Sequence, residues 1–159
     1  PDIKLIENYT GTTPAAWNDP VTAGELAKAA VDAGADVVYA AAGGSGLGVL
    51  QAMKDAGKFS IGVDSNQNYL QPGSVLTSML KRVDVAVQNA LTEAADDATF
   101  KPGLTVLGLA NDGVGYAVDE YNEALITPEM TAAAEDYKAK IIAGEVTVHD
   151  YTTDSTCPL

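Results

Sequence analysis

Glycines and one aspartate follow two neighbouring apolar runs of the sequence, at the point where each run ends. Residues 37–42 lead into the glycine cluster G-G-S-G-L-G, and residues 59–63 lead into Asp64. Ligands of open α/β sheets bind beyond the carboxyl ends of the strands, so Gly43, Gly44 and Asp64 mark one candidate site. Glycine lets a ligand approach the backbone closely because it has no Cβ. A carboxylate accepts hydrogen bonds from neighbouring hydroxyls. These residue types therefore suit an uncharged, hydroxyl-bearing ligand.

Each of these residues also has a purely structural interpretation. The glycine cluster could be a tight turn between a strand and a helix, and Asp64 could cap the turn that follows it. Phosphate binding is disfavoured, because no Lys-Ser or Lys-Thr pair follows the cluster and its glycines do not match G-x-G-x-x-G. The basic pair Lys81-Arg82 follows a later apolar run, where it is either solvated or a source of hydrogen-bond donors.

Two aromatic residues are candidates for stacking on a flat ligand. Trp17 lies in a loop bounded by prolines, where burial in the core is not expected and stacking is an open possibility. Tyr39 lies within an apolar run, where core packing is the favoured interpretation. The only histidine, His149, has no serine or cysteine nucleophile near it in sequence, and no catalytic triad, carboxylate pair or metal cluster can be assembled. We therefore expect a binding protein without catalytic residues, metal or cofactor.

Composition excludes several other classes of function. The 159 residues are 47% apolar, which is enough for one domain with a real core. The net charge of −13 opposes binding to nucleic acid or anionic lipid. No stretch reaches the roughly eighteen apolar residues of a membrane span. The single cysteine, Cys157, is either a free thiol in the tail or a bridge to another chain or segment.

The elements that must position the candidate residues alternate between strands and helices. Apolar runs predict strands over residues 3–9, 36–42, 59–63, 75–79, 104–109 and 146–148. The second of these is continuously apolar from Val37 onward, as expected for a strand covered on both faces. Helices are predicted over residues 21–33, 47–56, 83–95 and 128–143, the last with Thr127 as its N-cap. The helical residues expected to face the core include Leu50, Met53, Val83, Val87, Ala90 and Leu91. This alternation is typical of βαβ units in a mostly parallel sheet, an α/β fold.

Three blocks of the sequence resemble one family. The blocks A-A-A-G-G-S-G-L-G-V, I-G-V-D-S-N-Q and V-L-T-S-M-L-K-R-V-D-V-A-V are similar, in order and spacing, to the basic membrane protein family of ABC-transporter substrate-binding proteins, which includes purine nucleoside receptors of the PnrA type. The resemblance implies a type I periplasmic-binding-protein fold, in which two α/β lobes joined by crossover segments close on a ligand.

The resemblance also implies which part of such a protein this chain is. It is similar to the C-terminal half, with the N-terminal lobe missing, and the start at Pro1 without a methionine agrees with a fragment or a processed product. We expect residues 1–80 to form the α/β unit of the second lobe. Residues 81–126 would cross to the first lobe and return, and residues 127–159 would form a C-terminal helix and tail.

The function implied by the resemblance is that of a solute receptor of an ABC importer. Such a receptor is periplasmic, or extracytoplasmic and anchored to the membrane as a lipoprotein. It binds a nucleoside, in the first instance a purine nucleoside, and passes it to the permease. The alternative ligand is a sugar or another small polar molecule, and an α/β enzyme is a third hypothesis. A lone lobe could also pair with its complementary half or with a second copy, because its crossover segments would otherwise expose apolar surface.

The resemblance implies roles for the candidate residues. Asp64 would bind ribose hydroxyls, and the backbone amide of Gly43 or Gly44 would contact the same sugar. Lys81 would complete the polar set, and Tyr39 or Trp17 would stack on the base.

Overall fold

A four-stranded sheet forms the centre of the structure, a computed structural model that describes residues 3–95, 100 and 102–156. The strands lie side by side in the order of the chain. They are β1 (Val37–Tyr39), β2 (Phe59–Gly62), β3 (Val75–Lys81) and β4 (Val114–Tyr116). The first three are parallel, and β4 is antiparallel to β3. The sheet is therefore mostly parallel, and the carboxyl ends of its first three strands share one edge.

Four α-helices accompany the sheet: α1 (Pro20–Asp32), α2 (Gly46–Asp55), α3 (Val83–Ala94) and α4 (Pro128–Ile142). Their ends follow local sequence signals. The side chain of Asp19 caps α1 by accepting a hydrogen bond from the Thr22 amide at 3.0 Å. Thr127 caps α4 in the same way, as its sequence predicts, by accepting from the Met130 amide at 3.2 Å. All four helices thus begin within one residue of their predicted positions.

The core lies where α1 and α2 pack on the first strands. Leu50 and Met53 are fully buried, as predicted. The two helices approach each other closely at Gly48, where an added Cβ would overlap the backbone carbonyl of Pro20. Gly24 lies across the same contact, and a Cβ there would be 3.3 Å from the Gly48 carbonyl oxygen. Small residues on both helices therefore allow backbone to pack against backbone.

One buried hydroxyl in the sheet has no hydrogen-bond partner among the described residues. This group is Ser60 Oγ on β2. A buried polar atom without a partner costs stability, so we expect Ser60→Ala to raise the free energy of unfolding by about 1 kcal/mol. Ser74→Ala is the matched control: Ser74 is also buried, but its hydroxyl donates to the Lys58 carbonyl at 2.8 Å, and its loss is expected to be destabilising. Urea unfolding of both variants tests this, and a loss of stability in Ser60→Ala would contradict it.

The predictions for β1 were wrong in two respects. The strand covers only three residues, and it is an edge strand of the sheet. Val38 packs against the core cluster, whereas its neighbours Val37 and Tyr39 are exposed, Tyr39 by 50%. Successive side chains of a strand point to opposite faces. In the described structure only one face of β1 is covered, so Tyr39 is not a core residue.

Three predicted strands are absent from the described structure, and one strand was not predicted. Residues 3–9, 104–109 and 146–148 form no strand there, and Ile3 and Leu104 are 84% and 94% exposed. Branched apolar residues favour extended backbone, but a strand also needs a neighbour to pair with. In contrast, β4 is a three-residue Val-Gly-Tyr segment whose glycine weakens its sequence signal. Cys157 lies outside the described residues.

Helix α3 has its predicted position but not its predicted burial. None of its residues is buried, and its apolar side chains Val83, Val87 and Leu91 are exposed, the last by 68%. They line an open apolar groove of about 770 Å³ together with polar neighbours. The periodic spacing correctly indicated a helix with an apolar side. The spacing did not indicate whether other residues of the described structure cover that apolar side.

None of the helices in the described part has the length and apolar character that a membrane-spanning helix requires. In the same residues, no group of three or more His, Cys, Asp or Glu side chains is arranged to hold a metal ion.

Candidate functional site

The candidate residues all lie at or beyond the carboxyl ends of the parallel strands. Tyr39 is the last residue of β1, Asp64 follows β2 by two residues, and Lys81 ends β3. Gly43 and Gly44 form the 3₁₀ turn (Gly43–Ser45) that leads into α2. Trp17 lies in a second 3₁₀ turn (Pro14–Asn18) before α1.

Asp64 and Lys81 lie side by side. The Lys81 amide donates a hydrogen bond to the Asp64 carbonyl oxygen at 2.9 Å, and both side chains are exposed. Asp64 has φ of 67°, a left-handed conformation that is uncommon for a residue other than glycine. Strained backbone of this kind clusters at active sites and ligand-binding loops.

Tyr39 lies close enough to Asp64 to respond to its charge. Partial burial, and then the negative charge of Asp64, raise the pKa of the Tyr39 hydroxyl. Because β1 and β2 are paired at Tyr39 and Ile61, the phenol and the carboxylate lie on adjacent strand ends. The structure therefore brings Tyr39, Asp64 and Lys81 together at one edge of the sheet.

Trp17 and the glycine turn form a second set. A Cβ on Gly43 would lie 3.3 Å from Trp17 Cε3, and one on Gly44 would lie 3.3 Å from the Trp17 carbonyl oxygen. Buried Ser45 fixes the two turns to each other, because its hydroxyl donates to the Ala16 carbonyl at 2.6 Å and accepts from the Asp19 amide at 2.6 Å. The glycines thus have a structural role in seating Trp17, whose side chain is 60% exposed.

Sequence reasoning missed the amide side chains that hold the Asp64 loop. The Val63 amide donates to Gln67 Oε1 at 2.9 Å, and the Gln67 amide donates to Ser78 Oγ on β3 at 2.9 Å. The same hydroxyl donates to Asn68 Oδ1 at 2.8 Å, and both Ser78 and Asn68 are fully buried. The run N-Q-N, which begins four residues after the end of β2, was the signal that could have identified this network.

Charges at the edge of the sheet differ in how they are compensated. Arg82 forms an ion pair with Asp84 at 2.8 Å. Lys81 has no carboxylate within 4.0 Å in the part of the chain that the structure describes. The edge therefore presents an ammonium donor, a carboxylate acceptor and a phenol ring. Such a set suits a neutral ligand that carries hydroxyl groups and a flat ring.

Comparisons with known proteins identify the family of the chain. The sequence model of the family described as "ABC transporter substrate-binding protein PnrA-like" matches residues 1–152. Basic membrane protein D of Borreliella burgdorferi is 34% identical over 122 residues, which is 75% of this chain and 35% of that protein. An uncharacterized lipoprotein of Pyrococcus abyssi is 37% identical over 120 residues, 72% of this chain and 28% of that protein.

One solved structure supports the same assignment, and a second shows the same fold. An ABC transporter solute-binding protein from Aeropyrum pernix superposes with a TM-score of 0.77 at 28% identity, over 96% of this chain and 50% of that one. A transcriptional activator of the comK gene from Bacillus halodurans gives a TM-score of 0.73 over 85% of this chain and 46% of that one, at 24% identity, a likeness of fold alone. The chain thus spans half or less of the length of these proteins.

The comparisons confirm the predicted resemblance and the predicted α/β class with a mostly parallel sheet flanked by helices. The extracytoplasmic location is also confirmed, since the family consists of substrate-binding proteins and relatives are named as lipoproteins. With a family model matched over 152 of 159 residues, the chain belongs to the PnrA-like family of ABC transporter substrate-binding proteins.

Proposed function

We propose that this chain supplies one wall of a nucleoside-binding cleft in a receptor that delivers its ligand to an ABC permease. The observation that carries the proposal is the pairing of Asp64 and Lys81 at the ends of adjacent parallel strands, with both side chains exposed. Family membership supports a small-molecule ligand and a permease partner. The nucleoside is the finer part of the proposal, and it depends on the residue chemistry.

Ribose offers two neighbouring hydroxyls, which match the two oxygens of one carboxylate. Asp64 accepts a hydrogen bond from each of them, and charge-assisted bonds of this kind are stronger than neutral ones. Lys81 donates to an oxygen of the same sugar, because its ammonium has only donors to offer. The backbone amide of exposed Gly44 is a further candidate donor to the same sugar.

The base stacks on an aromatic ring at the same edge. Tyr39 is the stronger candidate, because its ring is half exposed and its hydroxyl responds to the charge of Asp64. Trp17 is seated on Gly43 and contributes from the neighbouring turn. A flat ring stacked on one of these aromatics and a polyol held by Asp64 together describe a nucleoside better than a free sugar.

The receptor needs a second wall, which we assign to the complementary N-terminal lobe. Relatives are two to nearly four times as long as the matched segment, so a further lobe is part of those proteins. The exposed apolar side chains of α3, in the segment expected to cross between lobes (81–126), support this division. Under it, residues 1–80 form the second-lobe unit, and residues 127–159 form the C-terminal helix and tail. The function is binding without catalysis.

Calorimetric titration of the receptor tests the proposal. The ligands are adenosine, guanosine, inosine, uridine, free ribose and free glucose. We expect the purine nucleosides to bind with dissociation constants in the micromolar range or below, and ribose alone to bind at least about a hundredfold more weakly, since it lacks the stacking base. Binding of free sugar with no response to any nucleoside would contradict the proposal and favour a sugar receptor. Chromatography of the ligand after incubation separates binding from hydrolysis.

A further inference from the structure

The turn after β4 is joined to the loop that carries Asp64 by a single carboxylate. Asp119 Oδ2 accepts hydrogen bonds from Asn66 Nδ2 at 2.6 Å and from Asn68 Nδ2 at 3.1 Å. Its other oxygen accepts from the Tyr121 amide at 2.9 Å, which fixes the carboxylate to its own turn. The residues joined in this way are 53 positions apart in sequence. The hydrogen bond from Asn66 is the largest cause of the lowered pKa of Asp119.

Other contacts of the Asp64 loop hold its two flanks and the Asp64 carbonyl, which accepts from the Lys81 amide at 2.9 Å, but they do not hold the side chain of Asn66. On one flank, Val63 is bonded to the Gln67 side chain, and on the other flank Gln67 is bonded to Ser78 of β3. Asn66 lies between them, two residues from Asp64. Among the described residues, its side chain bonds to Asp119 and to the Asn68 amide at 3.0 Å. Asp119 is thus the group from outside the loop that holds Asn66.

The backbone of Asp64 itself needs such support. Its left-handed conformation, φ 67°, persists only where surrounding contacts over-determine it. A loop free to move at Asn66 can relax toward extended backbone at Asp64, and this would weaken the backbone hydrogen bond from Lys81 and change the direction of the Asp64 side chain. The turn of Asp119 is anchored in its own right, since buried Asn122 accepts from the Asp119 amide at 2.8 Å and donates to the Leu76 carbonyl of β3 at 2.6 Å.

From this geometry we infer that Asp119 is a positioning residue of the ligand site, which holds the Asp64 loop in its binding conformation through Asn66. The inference rests on the proposed function, in which Asp64 contacts the ligand. Asp119 acts through the loop and does not touch the ligand. It also links ligand binding to the return segment (81–126) of the chain.

Two measurements on the whole receptor test the inference. Hydrogen exchange of residues 63–68 and of the Lys81 amide, without ligand, reports the order of the loop. In Asp119→Ala we expect exchange there to be roughly tenfold faster. Titration with purine nucleoside then measures the affinity, which we expect to fall about tenfold at a temperature where the variant is fully folded. Glu120→Gln is the matched control, because it removes a neighbouring carboxylate for which no hydrogen bond is found in the described part, and both quantities should stay at wild-type values.

An exchange of side chains separates positioning from general stability. Asn66→Asp alone places two carboxylates against each other and should loosen the loop. Asn66→Asp combined with Asp119→Asn restores the hydrogen bond between positions 66 and 119 with its direction reversed, while Asn68 Nδ2 loses its acceptor at position 119. We expect the double variant to recover part of the slow exchange and of the affinity, and to exceed the Asn66→Asp variant in both. A lower melting temperature in Asp119→Ala with unchanged exchange at residues 63–68, or with unchanged affinity, would overturn the inference. If the wild-type receptor binds no nucleoside, the proposed function fails, and the exchange experiment still decides whether Asp119 orders the loop.

Discussion

Asp64→Asn weakens nucleoside binding by roughly a hundredfold and leaves the fold intact. The expected loss corresponds to two charge-assisted hydrogen bonds from the ribose hydroxyls, each replaced by a weaker neutral bond or by none. Asparagine has nearly the same shape as aspartate and tolerates the left-handed backbone found at φ 67°. Asp64→Asn therefore tests the loss of charge alone, whereas Asp64→Ala would add backbone strain to it. Calorimetric titration with a purine nucleoside measures the change.

Two further variants sharpen the Asp64 experiment. Asp64→Gly removes the side chain and relieves the left-handed strain, so we expect binding to be lost while the free energy of unfolding stays equal or rises by about 1 kcal/mol. Asp32→Ala removes an exposed carboxylate at the end of α1 and should leave the affinity unchanged. Wild-type affinity in Asp64→Asn and Asp64→Gly would remove this residue from the site and leave it the role of a turn residue.

Gly48→Ala is expected to lower the free energy of unfolding by about 3 kcal/mol. The added methyl group would overlap the carbonyl group of Pro20, which is backbone at the start of α1 and cannot turn aside as a side chain would. Relief requires the whole helix α1 to move away from α2, and this would open the core around Met53. Urea unfolding measures the loss. Pro20 follows the loop that holds Trp17. We therefore also expect a weaker nucleoside affinity in Gly48→Ala than in the wild type.

Gly115→Ala is the matched control for Gly48. It makes the same chemical change in β4, where an added Cβ meets nothing within 4 Å. Its effect on stability should be within about 0.5 kcal/mol, as for substitutions with no steric consequence. Equal losses in the two variants would mean that glycine flexibility, and not the close approach of α1 and α2, decides the outcome at position 48.

The proximity of Asp64 and Lys81 was predictable because it follows from topology alone. Parallel strands of one sheet end at one edge, so residues that follow two neighbouring strands meet there. Helix boundaries were equally accessible, since Thr127, Pro128 and the glycines after α1, α2 and α4 are local signals. Strands were predicted less well. The apolar pattern of residues 3–9 gives the capacity to pair, and the presence of a neighbouring strand is a property of the whole fold.

Other parts of the candidate site depend on contacts between distant segments and have no local signal. The hydrogen bond between Asn66 and Asp119 joins two loops that separate strands and helices bring together. The seating of Trp17 on Gly43 likewise depends on how the loop before α1 packs on the turn before α2. For α3, the apolar period identifies the side that needs a partner, but burial depends on residues elsewhere that cover it.

The position of Trp17 has a practical consequence. It is the only tryptophan of the chain, and its indole ring is largely exposed beside the glycine turn at the proposed cleft. Selective excitation of indole therefore yields, from this chain, an emission signal that comes from a single, known place. A purine that enters the cleft changes the polarity around that ring or quenches it by stacking. Occupancy of the cleft by a ligand can thus be followed in real time by tryptophan fluorescence, with no dye attached and no residue replaced.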